Sequence, residues 1–456
     1  MDVNTKDRRE LVRGLDLNAT TALVVGTIIG TGVFLKTARM AQAVGTPLLV
    51  LLAWAAAGLL SLAGALSYAE LGAMLPNAGG EYVYLRAAYG DLPAFLFGWM
   101  RLMIGSTGSI ASFGAAFATF LSALAPMSSA FMKAIGVTVI LLFSIVNCLR
   151  VAIGGRVQSI LTLAKVLAIV TIAGGVFFFA PSATSEHLRA PAGVPAWCGF
   201  SAFGAAMLSA LWAFDGWNNM PMAAGEVRDP GRNIPRALIG GMAIVIVVYC
   251  VLNLAYCYAL PIGDIASSSS TLHGGALPVA SKAAQTFLPR FGAQWVAIAA
   301  MLSTIGALNG SILTGARIPY AMARDGLFFA CFGRLGERSA VPAMAIMLEG
   351  LWASILVVSA TFDQLTDCVI FASMIFYAIT TAAVFVLRRK MPNAPRPYKT
   401  SGYPVVPILF VAVAIWLLIN TVRTNPLESL AGLGLISLGL PVYVWQRRTA
   451  VRAETQ

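Results

Sequence analysis

Apolar stretches long enough to cross a bilayer follow one another along nearly the whole of this 456-residue chain, separated by short polar gaps. A helix needs about 20 apolar residues to span some 30 Å of hydrocarbon, and inside that layer every backbone amide must find its partner within the protein. Together these requirements point to an all-α integral membrane protein. Twelve transmembrane segments can be read, at about 17–43, 47–75, 92–125, 130–148, 157–180, 199–225, 236–260, 292–323, 341–359, 365–388, 404–423 and 427–446. Composition agrees: 11% of residues are charged, against about 25% in soluble domains.

The excess of 31 Lys and Arg over 19 Asp and Glu would suggest nucleic acid in a soluble protein. Here its distribution gives another meaning. The N-terminus, alternate loops and the C-terminus hold 22 of the 31, the opposite side holds 7 (Lys36 and Arg39 among them), and Arg101 and Lys165 fall inside spans. By the positive-inside rule both termini are expected in the cytoplasm. The expected organisation is a cytoplasmic tail at 1–16, one transmembrane domain at 17–446 and a second cytoplasmic tail at 447–456. Arg8, Arg9 and Arg13 precede the first apolar run with no small-residue cleavage site, so no leader is expected to be removed. The six cysteines show no paired spacing and read as small packing residues.

Two spans depart from the pattern. The first reads GTIIGTGVF at 26–34 and the sixth LWAFDGWNNMPMAAGE at 211–226, each with glycine and polar residues at mid-membrane depth. Freed backbone groups are tolerated there only beside a cavity or buried in protein. Breaks five spans apart are expected of a 5+5 inverted repeat, here about 17–180 and 199–388, with two extra helices at about 404–446. A broken helix exposes N–H groups suited to a carboxylate and carbonyls suited to an ammonium, so the pair of breaks is complementary to an α-amino acid. The expected carboxylate contacts are the amides of Gly30, Thr31 and Gly32. The expected amine contacts are the carbonyls of Trp212, Ala213 and Asp215 around the break at Gly216, with Ile28, Phe214 and Trp217 shaping the side-chain pocket. A packing role is the competing reading, since Gly26 and Gly30 form a GxxxG pair.

Ionisable residues at membrane depth are costly and mark sites by default. Lys165 lies about eight residues inside the fifth span, roughly 12 Å deep at 1.5 Å per residue. Its ammonium is expected against the broken first helix, with Ser303 or Thr304 as acceptors, as a fixed cation or a proton carrier; snorkelling to the interface is the alternative. Asp215 sits in the sixth-span break, facing a substrate or paired with Arg101. No hydrolytic, nucleotide-binding or metal motif appears, so no ATP, metal, cofactor or enzymatic chemistry is expected.

The pieces GTIIGTGVF (26–34), YAELGAMLPNAGGEYVYLRAAYG (68–90), LWAFDGWNNM with AGEVRDPGRNIPRAL (211–238) and RPYKTSGYPVVP (396–407) are similar to the amino acid–polyamine–organocation superfamily, and within it to the L-amino-acid transporter branch of exchangers. The resemblance implies the inverted-repeat fold first described for a bacterial leucine transporter, with discontinuous helices 1 and 6. It implies carboxylate binding at Gly30, Thr31 and Gly32, a gate at Trp212, support of the break by Asn218, and a sodium-substituting lysine at Lys165. Members handling cationic substrates look similar at Asp215, which leaves a neutral or a neutral-plus-cationic range open. Eukaryotic relatives pair with a glycoprotein through a cysteine between spans three and four; residues 125–130 hold none, so no covalent partner of that kind is expected. The expectation is sodium-independent exchange of L-amino acids across the cell membrane, with proton-coupled symport and a non-transporting sensor as alternatives.

Overall fold

The computed structural model describes residues 13–77, 79–149, 154–270, 272–273, 275–336 and 341–454. Most of the tail expected at 1–16, and the end of the one expected at 447–456, lie outside the described residues. Everything regular among the described residues is helical, apart from an isolated bridge between Leu15 and Val227.

Among the described residues, three of the α-helices open on a capping side chain, those that start at Leu17, Pro47 and Phe362. Asp16 opens α1 (Leu17–Ile28) by accepting from the Ala19 amide at 2.8 Å. After a bend of 42° the chain resumes as α2 (Gly32–Val44), which Gly45 ends at φ +70°. Thr46 and Pro47 start α3 (Pro47–Met74). A short α4 (Glu81–Tyr89) leads into α5 (Asp91–Met100), which runs through a π-helical turn at Arg101–Gly105 into α6 (Ser106–Ser122). Next come α7 (Ser129–Leu149) and α8 (Gly154–Phe179).

The second half mirrors the first. Helix α9 (Gly199–Phe214) stops at Asp215 and Gly216, and the chain re-forms as a short α10 (Asn219–Met222). Then follow α11 (Pro230–Ala259), short α12 (Ile262–Ala266) and α13 (Val279–Gln285), α14 (Gly292–Gly315) and α15 (Arg317–Arg324). Helix α16 (Ala343–Ser359) precedes α17 (Phe362–Lys390), which a Thr361–Gln364 capping box opens. The chain closes with α18 (Val405–Thr424), α19 (Pro426–Ser437) and α20 (Gly439–Glu454).

Four elements pack on the element five spans later: α2 on α9, α3 on α11, α6 on α14 and α7 on α16. This pairing agrees with an inverted repeat, in which elements near a two-fold axis meet their own equivalents. Nine helices among the described residues are long and apolar enough to cross a bilayer, or ten with α1 and α2 taken as one broken span. Shorter apolar helices, α9 and α16, stand where the sixth and ninth spans are expected, so length and apolarity alone do not reach the expected twelve. Large apolar side chains such as Phe178 (80% exposed) and Leu427 (78%) face outward, which suits a hydrocarbon solvent.

Candidate functional site

The two breaks lie directly against each other. A Cβ on Gly32 would stand 2.6 Å from the Ala213 Cα, and one on Gly216, which holds φ +115°, would stand 2.6 Å from the Thr27 carbonyl oxygen. Only glycine lets the backbones approach this closely. Two side chains lock the approach: Thr27 Oγ1 donates to the Gly216 carbonyl at 3.1 Å, and Tyr249 Oη on α11 lies 3.1 Å from the carbonyls of both Ile28 and Ala213.

Between the breaks is one cavity, lined from α1 and α2 by Thr27, Ile28, Gly30, Thr31 and Gly32 and from the sixth span by Trp212, Ala213, Asp215, Gly216 and Asn219. Arg101, Ser106, Ser109 and Phe113 close it from the third span, and Ser311 from α14. Its free space is about 20 Å³, enough for about one water and too small for an amino acid, so this is a closed state. Neither the Thr31 nor the Gly32 amide has a backbone acceptor among the described residues, and the Thr31 hydroxyl is buried without a partner. Across the cavity the Trp212 carbonyl accepts from the Asp215 amide at 3.2 Å and the expected Ala213 carbonyl is taken by Tyr249 Oη at 3.1 Å, while no donor reaches the Asp215 carbonyl among the described residues. The arrangement offers donors on one wall and acceptors on the other.

Several expected residues sit elsewhere. Phe214 points away from the cavity, packed edge-on against Trp54 at 5.8 Å and against Tyr249 at 5.1 Å, because the helical turn before the break directs it toward α3 and α11. Trp217 packs on Tyr68 at 4.6 Å. Asn218 lies behind the break, where its Nδ2 donates to Glu81 Oε1 at 3.0 Å and Tyr68 Oη donates to Glu81 Oε2 at 2.8 Å. Trp212 does face the cavity, in contact with Phe113 at 5.7 Å and Phe362 at 6.2 Å.

Lys165 is 3% exposed, so it does not snorkel. Its ammonium donates to the carbonyls of Gly26 (3.2 Å) and Ile29 (3.0 Å), at the end of α1. The expected bond to Ser303 or Thr304 is absent: Thr304 Oγ1 donates to the Ala300 carbonyl at 2.7 Å, and Ser303 Oγ has no partner. The bend left α1 carbonyls without helical donors, and these are stronger acceptors than a hydroxyl. Asp215 and Arg101 share the cavity without forming an ion pair. Tyr377 Oη donates to the Asp215 carboxylate at 2.5 Å, and Arg101 Nη2 donates to Asn219 Oδ1 at 3.3 Å.

The far face of the bundle, opposite Leu15, is shut by a latch. Lys36, which loop counting places outside the spans, is fully buried and donates to Asp363 Oδ1 at 2.7 Å and to Thr366. Arg39 pairs with Asp367 at 2.6 Å, and Lys36 also lies over the Phe362 ring that touches Trp212. On the face of Leu15, the Leu15 amide donates to the Glu226 carbonyl at 2.9 Å and Arg317 pairs with Glu226 at 2.8 Å. Sequence reasoning missed Lys36, Glu81, Tyr249 and Tyr377. The acid and the lysine carried the signal that singles out Lys165, a charge beside or within an apolar run; the tyrosines carried none.

Comparison with known proteins agrees with this geometry. The amino acid permease family profile matches residues 15–430. The chain is 31% identical to the serine/threonine exchanger SteT of Bacillus subtilis over 440 residues, covering 96% of this chain and 98% of that protein. It is 31% identical to the human b(0,+)-type amino acid transporter 1, covering 91% and 84% respectively. It is 30% identical to the mouse large neutral amino acids transporter small subunit 2, covering 96% and 82%. Two abutting helix breaks inside an apolar bundle, matched nearly end to end by these relatives, establish that the chain belongs to the amino acid permease family, within the amino acid–polyamine–organocation superfamily.

Proposed function

We propose that this protein is a sodium-independent secondary transporter of the cell membrane that exchanges L-amino acids by alternating access, with both termini in the cytoplasm. The observation that carries the reading is the cavity lined by both breaks, where the Thr31 and Gly32 amides on one side and the Asp215 carbonyl on the other have no backbone partner among the described residues. A carboxylate on the first wall and an ammonium on the second use both at once. Lys165 supports sodium independence: an ammonium held by the Gly26 and Ile29 carbonyls places a fixed positive charge at the break, where a bound cation would otherwise be required. Neutral side chains fit a cavity in which Asp215 and Arg101 offset each other, and Asp215 carries an extension to cationic ones.

The transporter relatives, together with backbone dipoles suited to holding a zwitterion, support transport rather than enzymatic chemistry. One relative's name marks it as a small subunit. Residues 125–130 here contain no cysteine, which supports a chain working without a covalent partner.

Counterflow of each amino acid in proteoliposomes, with and without sodium, tests the proposal. The expected result is accumulation of labelled neutral amino acid driven by internal unlabelled substrate, unchanged by sodium. Binding without counterflow would convert the reading to a sensor, and concentrative uptake into empty vesicles under a pH gradient would replace strict exchange by symport. Arginine counterflow reduced by Asp215→Gly is expected for the cationic extension; its absence in the parent removes that extension.

A further inference from the structure

Glu349 lies seven residues into α16, in the apolar run AMAIMLEGLWASILVV, and is 0% exposed. Neither of its carboxyl oxygens has a hydrogen-bond partner among the described residues. The carboxyl is wedged at Gly315, where an added Cβ would stand 2.8 Å from its Oε1 and also 2.8 Å from the Ser106 Cβ. Ser106 lines the cavity, and its hydroxyl is also without a partner.

An ionised carboxylate in that position would be a bare charge at membrane depth, a cost of several kcal/mol that protonation removes. A cation is nonetheless close by. Arg101 is the charged group whose field reaches Glu349, and its guanidinium lies along Gly105, the residue next to Ser106. Among the described residues the other elements packed on α16 bring Glu349 no ion-pair partner. Helix α7 contributes Ser144, which donates to the Ile140 carbonyl, Cys148, whose thiol points to the Ala343 carbonyl, and Lys133, which is held by the Val358 carbonyl nine residues further along α16. Helix α17 brings Asp363 and Asp367, paired with Lys36 and Arg39, and the turn at Ala330–Gly333 brings Cys331. From α14 comes Gly315, and Arg317 at the head of α15 is held by Glu226. Arg101 itself is under-used among the described residues, with one bond to Asn219 at 3.3 Å and its Nε unpartnered. The π-turn at Arg101–Gly105 loosens the helix that carries it, and such turns mark places where a helix serves a site.

We propose that Glu349 is a proton-binding site that competes with the substrate cavity for Arg101. With its proton on, Glu349 is neutral and Arg101 stays with Asn219 at the cavity wall. With its proton off, the carboxylate and guanidinium pair behind Ser106, which withdraws the cation from the cavity. The proton leaves to water when the transporter opens, and no other covalent bond changes. This goes beyond the exchange reading, which needs no titrating group.

Counterflow in proteoliposomes at equal pH on both sides tests it, with the neutral isostere Glu349→Gln as the variant. Wild type is expected to lose counterflow severalfold as pH rises, while Glu349→Gln keeps its neutral-pH rate and stays flat. Neutral-pH counterflow in the variant shows that exchange itself stands, whatever the profile. A variant profile that superimposes on wild type, or a flat wild type, overturns the proposal and leaves Glu349 a permanently protonated core group. If Glu349→Gln fails to reconstitute, infrared titration of solubilised wild type and Glu349→Asp decides. A protonated-carboxyl band that titrates and shifts with the Asp variant supports the proposal; no such band overturns it.

Discussion

Two sets of buried charges divide this molecule. At the latch, Lys36 and Asp363 are 2.7 Å apart with side chains 0% and 6% exposed, and Arg39 holds Asp367 beside them. At the centre, Lys165, Arg101 and Glu349 are equally enclosed, yet none has an ionic partner among the described residues. The latch charges satisfy one another, so their job ends when the two helices separate and water replaces the partner. The central charges are satisfied by backbone, by an amide side chain or, for Glu349, by nothing, which leaves them free to answer to something that arrives. Pairing marks a gate; its absence marks a site.

Breaking the latch should have the largest effect on the fold. Asp363→Asn strands the buried Lys36 ammonium, a loss of about 3–5 kcal/mol. Thermal unfolding should fall clearly, and a cysteine introduced at Ser109 in a cysteine-free background should label faster. Replacing both partners by apolar residues, Lys36→Met with Asp363→Leu, should restore stability but not gating; a double variant as unstable as the single would remove the pairing argument.

At the centre, Lys165→Ala should leave folding nearly intact and cripple transport. Two charge-assisted bonds to the α1 carbonyls are lost, and a net effect near 3 kcal/mol in the cycle lowers counterflow about 100-fold. Full counterflow in that variant would exclude the proposed role of the lysine. The smallest effect should come from Thr27→Val, which deletes one neutral hydrogen bond between the breaks, worth about 1 kcal/mol or roughly fivefold. A loss from Thr27→Val exceeding that from Lys165→Ala would reverse the ranking and put the site's energy in the locking of the breaks rather than in the cation.

Much of this was legible in the sequence, because hydrocarbon imposes so few solutions on a backbone. The glycines of GTIIGTGVF and the DG step at 215–216 foretold breaks that the structure places in contact, and Lys165 was legible as a charge at membrane depth, with its burial deciding against snorkelling. Its partners were not: the carbonyls of Gly26 and Ile29 became acceptors only once α1 bent, and no residue type announces that. Phe214 was misplaced for a similar reason. Position beside a break says nothing about which way a ring turns, and here the last turn of α9 sends it into α3 and α11.

The amino-acid sequence by itself determined that the chain crosses a membrane many times, that two of its helices break, and that its positive charges lie unevenly about the bundle. These are properties of runs and counts, set by the transfer of local segments from water to lipid. Only the tertiary structure decided which buried charges pair. Lys36 meets Asp363 across 327 residues, whereas Glu349 meets no counterion among the described residues, because pairing depends on which helix faces enclose each side chain and not on its neighbours along the chain.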